Sequence, residues 1–168
     1  KIVFIMNPIS GTSSKAAVPS LIDSTLDKEQ FEYEIKMTER PGHASELAAE
    51  ARDNHADIVV AVGGDGTVNE VARSLVHSDS ALGILPCGSG NGLARHLLLP
   101  MNLKKSIEII NACKIHDLDY GVINEYPFFC TCGMGFDAFV SMKFAESGKR
   151  GPISYAETVS YTHLRAHE

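Results

Sequence analysis

The sequence predicts an α/β fold in which a parallel sheet is covered by helices on both faces, making three layers. Short apolar runs rich in β-branched residues alternate with segments whose apolar residues recur at helical spacing. Glycine collects in the turns that follow strands, whereas the turns that follow helices are plain polar turns. With 44% hydrophobic and 21% charged residues, the composition is that of an ordinary globular domain.

The first two strand–helix units occupy the N-terminal third of the chain. A short apolar strand is predicted at Lys1–Met6, and apolar residues at helical spacing over Ala16–Leu26 predict a helix with Pro19 in its first turn. Phe31–Met37 alternates apolar and polar residues, which predicts a second strand with one face less buried. The helix after it carries its apolar face over Ala44–Ala51.

The third unit has the clearest pattern. Asp57–Val62 is an almost continuous apolar run rich in β-branched residues, which is typical of a strand buried on both faces. The chain then breaks at Gly63–Gly66 and resumes as a helix. A fourth strand is predicted at Ala81–Leu85, followed by a helix at about Leu93–Leu98 that Pro100 ends.

Beyond the fourth unit the pattern changes to antiparallel β structure. A short helix ending near Asn111 is followed by predicted strands at Lys114–Asp119 and Pro127–Thr131, around a turn at Gly121–Glu125. This change indicates a second domain. We therefore expect an α/β nucleotide-binding domain at residues 1–120, the beginning of a truncated β-rich domain at 121–157, and an atypical tail at 158–168.

Four loops with unusual chemistry follow the four strands of the α/β domain, and we number them in chain order. They are the first loop Asn7–Thr12, the second Thr38–His43, the third Gly63–Thr67 and the fourth Pro86–Gly92. In a parallel sheet these turns lie at one edge, where ligands bind in open α/β folds. A glycine-rich turn that leads into a helix aims backbone N–H groups at an anion. The pattern thus predicts a phosphate site; the alternative is an ordinary bend whose glycines serve only the turn.

Charge and hydropathy exclude several kinds of partner. The net charge of −6 opposes binding to nucleic acid, because clustered cations occur only at Lys104–Lys105 and Lys149–Arg150. No apolar segment approaches the ~20 residues that span a bilayer, and no signal peptide precedes the first strand. The cysteines lack zinc-ligand spacing. We expect a cytoplasmic protein with no transmembrane segment and no nucleic acid partner.

Three motifs, in order and spacing, resemble the diacylglycerol kinase catalytic domain superfamily, which includes sphingosine kinases and bacterial lipid kinases. They are Asn-Pro-Ile-Ser-Gly at residues 7–11, Gly-Gly-Asp-Gly-Thr-Val-Asn-Glu-Val at 63–71 and Pro-Cys-Gly-Ser-Gly-Asn-Gly-Leu-Ala-Arg at 86–95. The resemblance covers Lys1 to about Tyr155 and is greatest to the soluble bacterial lipid kinases. It implies a kinase that binds ATP and Mg²⁺ between an α/β domain and a β-rich domain. The second domain would accept a lipid at the membrane surface, where the protein would lie peripherally during turnover.

The resemblance also implies which residues contact the nucleotide. In the first two loops they are Asn7, Pro8, Ile9, Ser10, Gly11 and Thr38. In the third loop and the helix after it they are Gly63, Gly64, Asp65, Gly66, Thr67, Val68, Asn69 and Glu70, and in the fourth loop they are Gly88, Ser89 and Asn91.

Asp65 is the candidate catalytic residue. A carboxylate does not favour a phosphate by charge, so Asp65 is expected to hold Mg²⁺, directly or through water, or to accept the proton of the acceptor hydroxyl. The structural alternative for Asp65 is the cap of an Asx-type turn. Ser89 and Gly92 depart from the family pattern, since many members have Thr and Asp at these positions. The family's later acid/base and metal-binding residues are absent from this chain, so the chain alone is expected to be inactive.

Two other hypotheses remain open. An enzyme similar to NAD kinase also uses a Gly-Gly-Asp-Gly turn, although the first and fourth loops favour the lipid kinases. A non-catalytic nucleotide-binding module would need no acceptor chemistry. A Rossmann dehydrogenase is disfavoured, because neither glycine turn fits G-x-G-x-x-G with an acidic residue after the next strand.

Overall fold

The computed structural model describes residues 1–9, 15–133, 138–139 and 141–142. The chain divides into two compact units, Lys1–Cys130 and Thr131–Glu168. The strands of the first unit are β1 Ile2–Met6, β2 Tyr33–Met37, β3 Ile58–Gly63, β4 Ala81–Pro86, β5 Gly121–Ile123 and β6 Tyr126–Phe128. Its helices are α1 Val18–Thr25, α2 His43–Asp53, α3 Asp65–Leu75, α4 Gly92–His96 and α5 Leu103–Ala112.

The first four strands form one parallel sheet in the order β2-β1-β3-β4. β1 lies between β2 and β3, so the chain moves outward from β1 on one side and then returns to its other side. The strands are nearly in register, with Met6 opposite both Met37 and Val62. Their carboxyl ends therefore finish at the same level. The direction of winding reverses between β1 and β3.

Helices cover both faces of this sheet. Alternate residues of the central strands point to opposite faces, as the period of a strand requires. Val3, Ile5, Val59 and Ala61 pack in one buried cluster with residues of α2 and α3. Ile2, Phe4, Val60 and Val62 pack in another with residues of α1 and α5. Two faces covered by helices confirm the predicted three-layer α/β fold.

The antiparallel hairpin that follows is displaced from its predicted position. The strands are β5 and β6, and the turn between them is Asn124-Glu125, whereas Lys114–Asp119 is not a strand. Asn124 and Glu125 both have positive φ, at 46° and 69°. Two such residues match the twist of a tight hairpin, so the short apolar segment at Val122-Ile123 pairs directly across the turn. The prediction placed a turn where β5 begins and was wrong.

The hairpin is the antiparallel β structure that the sequence predicts after the α/β domain. Most of the residues expected to continue it, and the tail at 158–168, lie outside the described residues. In the part of the chain that the structure describes, no helix is both long and apolar enough to cross a membrane.

Candidate functional site

The described residues of all four loops lie at the carboxyl edge of the parallel sheet. The first and third follow β1 and β3, the two strands between which the winding reverses. In open α/β sheets the crevice outside this reversal is where ligands bind, because the two neighbouring loops diverge there. The second loop follows β2 and the fourth follows β4, so they flank the reversal on either side. The topology thus brings the four predicted loops together.

The third loop presents an open helix N-terminus. Gly64 is the N-cap of α3, and no side chain makes a capping hydrogen bond there. The N–H groups of Asp65, Gly66 and Thr67 form the first turn, where a helix has no internal acceptors for them. A Cβ at Gly63 would lie 2.5 Å from Thr67 Oγ1, so the strand can enter the helix this tightly only with glycine at that position. Uncapped N–H groups with the positive end of the helix dipole behind them suit an anion.

The first loop is tied to the third through Asn7. The Asn7 N–H donates to the Val62 carbonyl at 3.1 Å, and its Nδ2 donates to Thr67 Oγ1 at 3.4 Å. Asn7 Oδ1 accepts the Ile9 N–H at 3.1 Å, which shapes the Asn-Pro turn. Pro8 and Ile9 are exposed, and Ser10 and Gly11 lie outside the described residues. Asn7 thus fixes the two loops to each other, while the Thr67 hydroxyl faces Asn7 in a buried position.

Lys15 is a residue of this edge that the sequence analysis did not single out. It is only 7% exposed, and its Nζ donates to the Asn7 carbonyl at 2.6 Å. Burial lowers the pKa of Lys15, although the nearby Cys87 thiolate would favour its charged form. A lysine beyond an Asn-Pro turn has no sequence feature that separates it from a surface lysine. Its amine therefore lies against the start of the first loop, at Asn7.

The second loop is held by the helix that follows the third. The Thr38 N–H continues the sheet by donating to the Met6 carbonyl at 2.9 Å, and Thr38 is buried. Glu70 Oε1 accepts the Gly42 N–H at 3.2 Å. Glu70 therefore lies at the edge but is used to join two elements. Val68 packs in the core and Asn69 is half-buried, so the two residues have different surroundings on the same helix turn.

The fourth loop packs directly on the third. A Cβ on Gly88 would lie 2.5 Å from Gly64 Cα, so the two backbones touch. Asn91 is buried and bonds to both backbone groups of Gly88, and the Asp65 carboxylate accepts the N–H groups of Asn91 and Gly92. Ser89 is exposed at the tip of the loop. The structure therefore brings the third and fourth loops into one surface.

The charge of this surface is mixed. Backbone N–H groups favour an anion, and Asp65 adds an exposed carboxylate. Within the described residues, no group of three or more His, Cys, Asp or Glu side chains could hold a metal ion. Mg²⁺ differs from metals that need a full protein cage, because it commonly binds one or two carboxylates together with substrate phosphates and water. A single carboxylate beside a phosphate site fits that mode.

The diacylglycerol kinase catalytic domain, as a family, matches residues 1–123. The chain belongs to this family. A diacylglycerol kinase of Staphylococcus saprophyticus is 32% identical over 156 residues, covering 90% of this chain and 51% of the relative. A protein of Escherichia fergusonii named "Probable lipid kinase YegS" is 31% identical over 137 residues, covering 77% of this chain and 46% of the relative.

A similar solved structure supports the assignment to this family. A diacylglycerol kinase crystal structure from Bacillus anthracis matches with a TM-score of 0.66 and 25% sequence identity. The match covers 76% of this chain and 47% of that chain. The chain therefore spans about half the length of the curated relatives and solved structures that it matches. It is a kinase-family domain, and its relatives are diacylglycerol and lipid kinases.

Proposed function

We propose that the chain is the nucleotide-binding part of an ATP-dependent lipid kinase that transfers the γ-phosphate of ATP to a lipid hydroxyl, diacylglycerol-like or sphingoid. The observation that carries the proposal is the uncapped N-terminus of α3. It lies at the carboxyl edge of the sheet, beside the reversal between β1 and β3. The relatives are named as diacylglycerol and lipid kinases, which supports a lipid as the acceptor. They are also longer than this chain by enough residues to form a second domain.

In this proposal the third loop binds the phosphates. The N–H groups of Gly64, Asp65, Gly66 and Thr67 face the phosphate oxygens, and glycine at this turn lets the phosphates approach the backbone. The first loop through Asn7–Gly11 and the fourth loop through Gly88, Ser89 and Asn91 flank them. Ser89 is exposed and carries a hydroxyl that can donate to a phosphate oxygen.

The other residues expected to contact the nucleotide contribute backbone groups or hold the neighbouring elements in place. Thr38 and the segment Val68–Glu70 lie beside the phosphate-binding turn, with Val68 in the core and Glu70 bonded to the second loop. Asp65 is the carboxylate that can share Mg²⁺ with the phosphates, or take the proton of the acceptor hydroxyl. Mg²⁺, when bound, would neutralise phosphate charge. The acceptor lipid would be met at the membrane surface, by a cytoplasmic protein that associates with the membrane peripherally.

The test is a titration of the isotopically labelled chain with ATP, followed by amide NMR. We expect the largest shifts in the third and fourth loops and none in the turns at the opposite edge, residues 27–30 and 77–80. A parallel titration with NAD⁺ separates a lipid kinase from an enzyme similar to NAD kinase. Because an NAD kinase would bind NAD⁺ as well as ATP, a response to NAD⁺, with or without a response to ATP, would overturn the proposal, and so would shifts confined to the opposite edge.

A further inference from the structure

The carboxylate of Asp65 reaches from the third loop to the backbone of the fourth. Asp65 Oδ2 accepts the Asn91 N–H at 2.9 Å, and Oδ1 accepts the Gly92 N–H at 2.6 Å. Each oxygen therefore accepts one of two consecutive backbone donors, in a charge-assisted, two-pronged contact. Asn91 is 26 residues further along the chain. The contact is therefore tertiary, and it differs from the local turn cap that a carboxylate after glycine could make.

The shape of the fourth loop depends on Asn91. This residue is left-handed, with φ 55° and ψ 46°, a conformation that costs energy for residues other than glycine but that Asn tolerates. Its Oδ1 accepts the Gly88 N–H at 2.8 Å, and its Nδ2 donates to the Gly88 carbonyl at 2.7 Å. These two bonds close residues 88–91 into a ring. The ring leaves the N–H groups of residues 91 and 92 facing Asp65.

Glycine at position 90 leaves the space that the Asp65 carboxylate occupies. A Cβ at Gly90 would lie 2.7 Å from Asp65 Oδ2, closer than real Cβ atoms approach a neighbour. Among the described glycines only Gly42 has a positive φ, so the backbone at Gly90 is accessible to other residues. The absence of a side chain at position 90 is therefore explained by the carboxylate and not by the turn. Gly90 is also absent from the nucleotide contacts that the family resemblance implies.

We propose that Asp65 is a positioning residue that holds the fourth loop, through the N–H groups of Asn91 and Gly92, in the conformation that faces a bound nucleotide. This inference rests on the proposed function. It gives the third and fourth loops one rigid surface, because their backbones touch at Gly64 and Gly88 and the carboxylate joins them beyond that contact. Each carboxylate oxygen retains a second lone pair, so positioning does not prevent a contact with a metal.

The experiment begins without nucleotide. Amide hydrogen exchange is measured by NMR on the wild-type chain and on Asp65→Asn, Gly90→Ala and the double variant. Asn offers only one acceptor oxygen and turns a donor toward a donor. Ala at position 90 keeps the carboxylate but displaces it. Asp79→Asn, in the turn after α3 at the opposite edge, is the matched carboxylate control. Gly66→Ala is the matched glycine control for exchange, because nothing lies within 4 Å of its added Cβ.

We expect Asp65→Asn and Gly90→Ala each to speed exchange at the amides of Asn91 and Gly92 by about tenfold or more, while the core strands keep wild-type exchange. The double variant should be no faster than the faster single variant, because both changes remove the same contact. Both controls should leave these two amides unchanged. If Asp65→Asn does not fold, Gly90→Ala carries the same test with every hydrogen-bonding group retained. Wild-type exchange in the folded variants, or effects that add, would overturn the proposal.

Nucleotide affinity is then measured with ATP in EDTA, so that a metal held by Asp65 cannot contribute. We expect Asp65→Asn and Gly90→Ala to weaken ATP binding by similar factors, on the order of tenfold, and Asp79→Asn to bind as the wild type does. A role as metal ligand or base alone would leave affinity in EDTA unchanged in Gly90→Ala, and unchanged or higher in Asp65→Asn, which loses a negative charge near the phosphates; that pattern contradicts the proposal. If the wild-type chain binds no ATP, the proposed function fails, while the exchange result still decides whether Asp65 holds the loop.

Discussion

Lys15 illustrates how one buried cation is accommodated at a polar edge. Its amine is bonded to the Asn7 carbonyl, and burial holds the pKa of Lys15 below its usual value of 10.5. The lowered pKa means that the folded chain releases this proton more readily than the unfolded chain does. Between the lowered pKa and 10.5, the unfolded state therefore binds more protons, and stability rises with pH.

The direction of this pH dependence leads to a prediction for Lys15→Met, which keeps an unbranched side chain and removes the charge. The difference in unfolding free energy, wild type minus variant, should increase as pH rises through the lowered pKa and should level off above about 10.5. Chemical denaturation from pH 7 to 11 measures it. Burial raises the pKa of Cys87, which has the opposite effect on stability; because both proteins keep Cys87, that effect cancels to first order. A difference that stays flat with pH would show that Lys15 is not desolvated.

At the residue scale, the sequence predicted which residues lie at the sheet edge better than it predicted what those residues contact. Glycine, Asn and Asp were expected at the edge because of their known turn and anion chemistry, and Asn7, Asp65 and Asn91 do meet there. The bonds that join the loops, Asn7 to Thr67 and Asp65 to Asn91, were not predictable, because the partners are distant in sequence. Lys15 was missed because neither its burial nor its bond to the Asn7 carbonyl has a signal in the sequence.

The end of α4 shows a helix-terminating motif with an unusual residue in it. The Leu99 N–H donates to the Ala94 carbonyl and the Leu98 N–H to the Arg95 carbonyl, which is the Schellman arrangement. The residue that this arrangement places in the left-handed region is Leu98, with φ 56°, and its side chain is 88% exposed. Glycine is the common residue at that position, because it has no Cβ to clash there.

We therefore expect Leu98→Gly to stabilise the chain by about 0.5–1 kcal/mol, since relief of the left-handed strain exceeds the extra freedom that glycine gives the unfolded chain. The melting temperature should rise by about 1–4 °C. Leu97→Gly is the matched control: Leu97 is also exposed but has φ −78°, so its replacement should lower stability. Leu98→Ala separates strain from lost apolar surface, because Ala keeps the Cβ. A gain with Leu98→Ala equal to that with Leu98→Gly would contradict the strain argument.

At the element scale, the periodic parts of the sequence were predicted well and the short irregular parts were not. The strands and helices up to α3 follow apolar runs long enough to show their period, as in Ile58–Gly63. β5 and β6 have three residues each, too few for a period to appear. Their turn depends on positive φ at Glu125, a residue type that gives no turn signal in sequence.

At the scale of the whole molecule, the alternation of strands and helices could be predicted from the sequence, whereas the order of the strands in the sheet could not. Alternating strands and helices predicted a parallel sheet with all four loops at one edge, and the structure has this sheet, with the described residues of the four loops at its carboxyl edge. The order β2-β1-β3-β4 was not predicted, because pairing of parallel strands is decided by packing between distant segments. That order is what places the first and third loops on either side of the reversal.

The last prediction concerns the activity of this chain by itself: it should bind ATP weakly and phosphorylate no lipid. Phosphoryl transfer requires the nucleotide, the metal and the acceptor hydroxyl to be held in line. The described residues provide an uncapped helix N-terminus and one exposed carboxylate, Asp65, at the carboxyl edge of the sheet. The chain also covers about half the length of the diacylglycerol kinase from Staphylococcus saprophyticus.

The assay uses the purified chain with radiolabelled ATP, Mg²⁺ and mixed micelles of diacylglycerol or sphingosine. The complete Staphylococcus saprophyticus relative, in the same diacylglycerol micelles, is the positive control. We expect labelled lipid with the relative and none with this chain, because the acceptor pocket is assigned to the second domain. Size-exclusion chromatography must show the chain to be monodisperse, since exposed apolar residues such as Tyr126 and Phe139 favour association. Steady lipid phosphorylation by the monodisperse chain would place the acceptor site within these 168 residues.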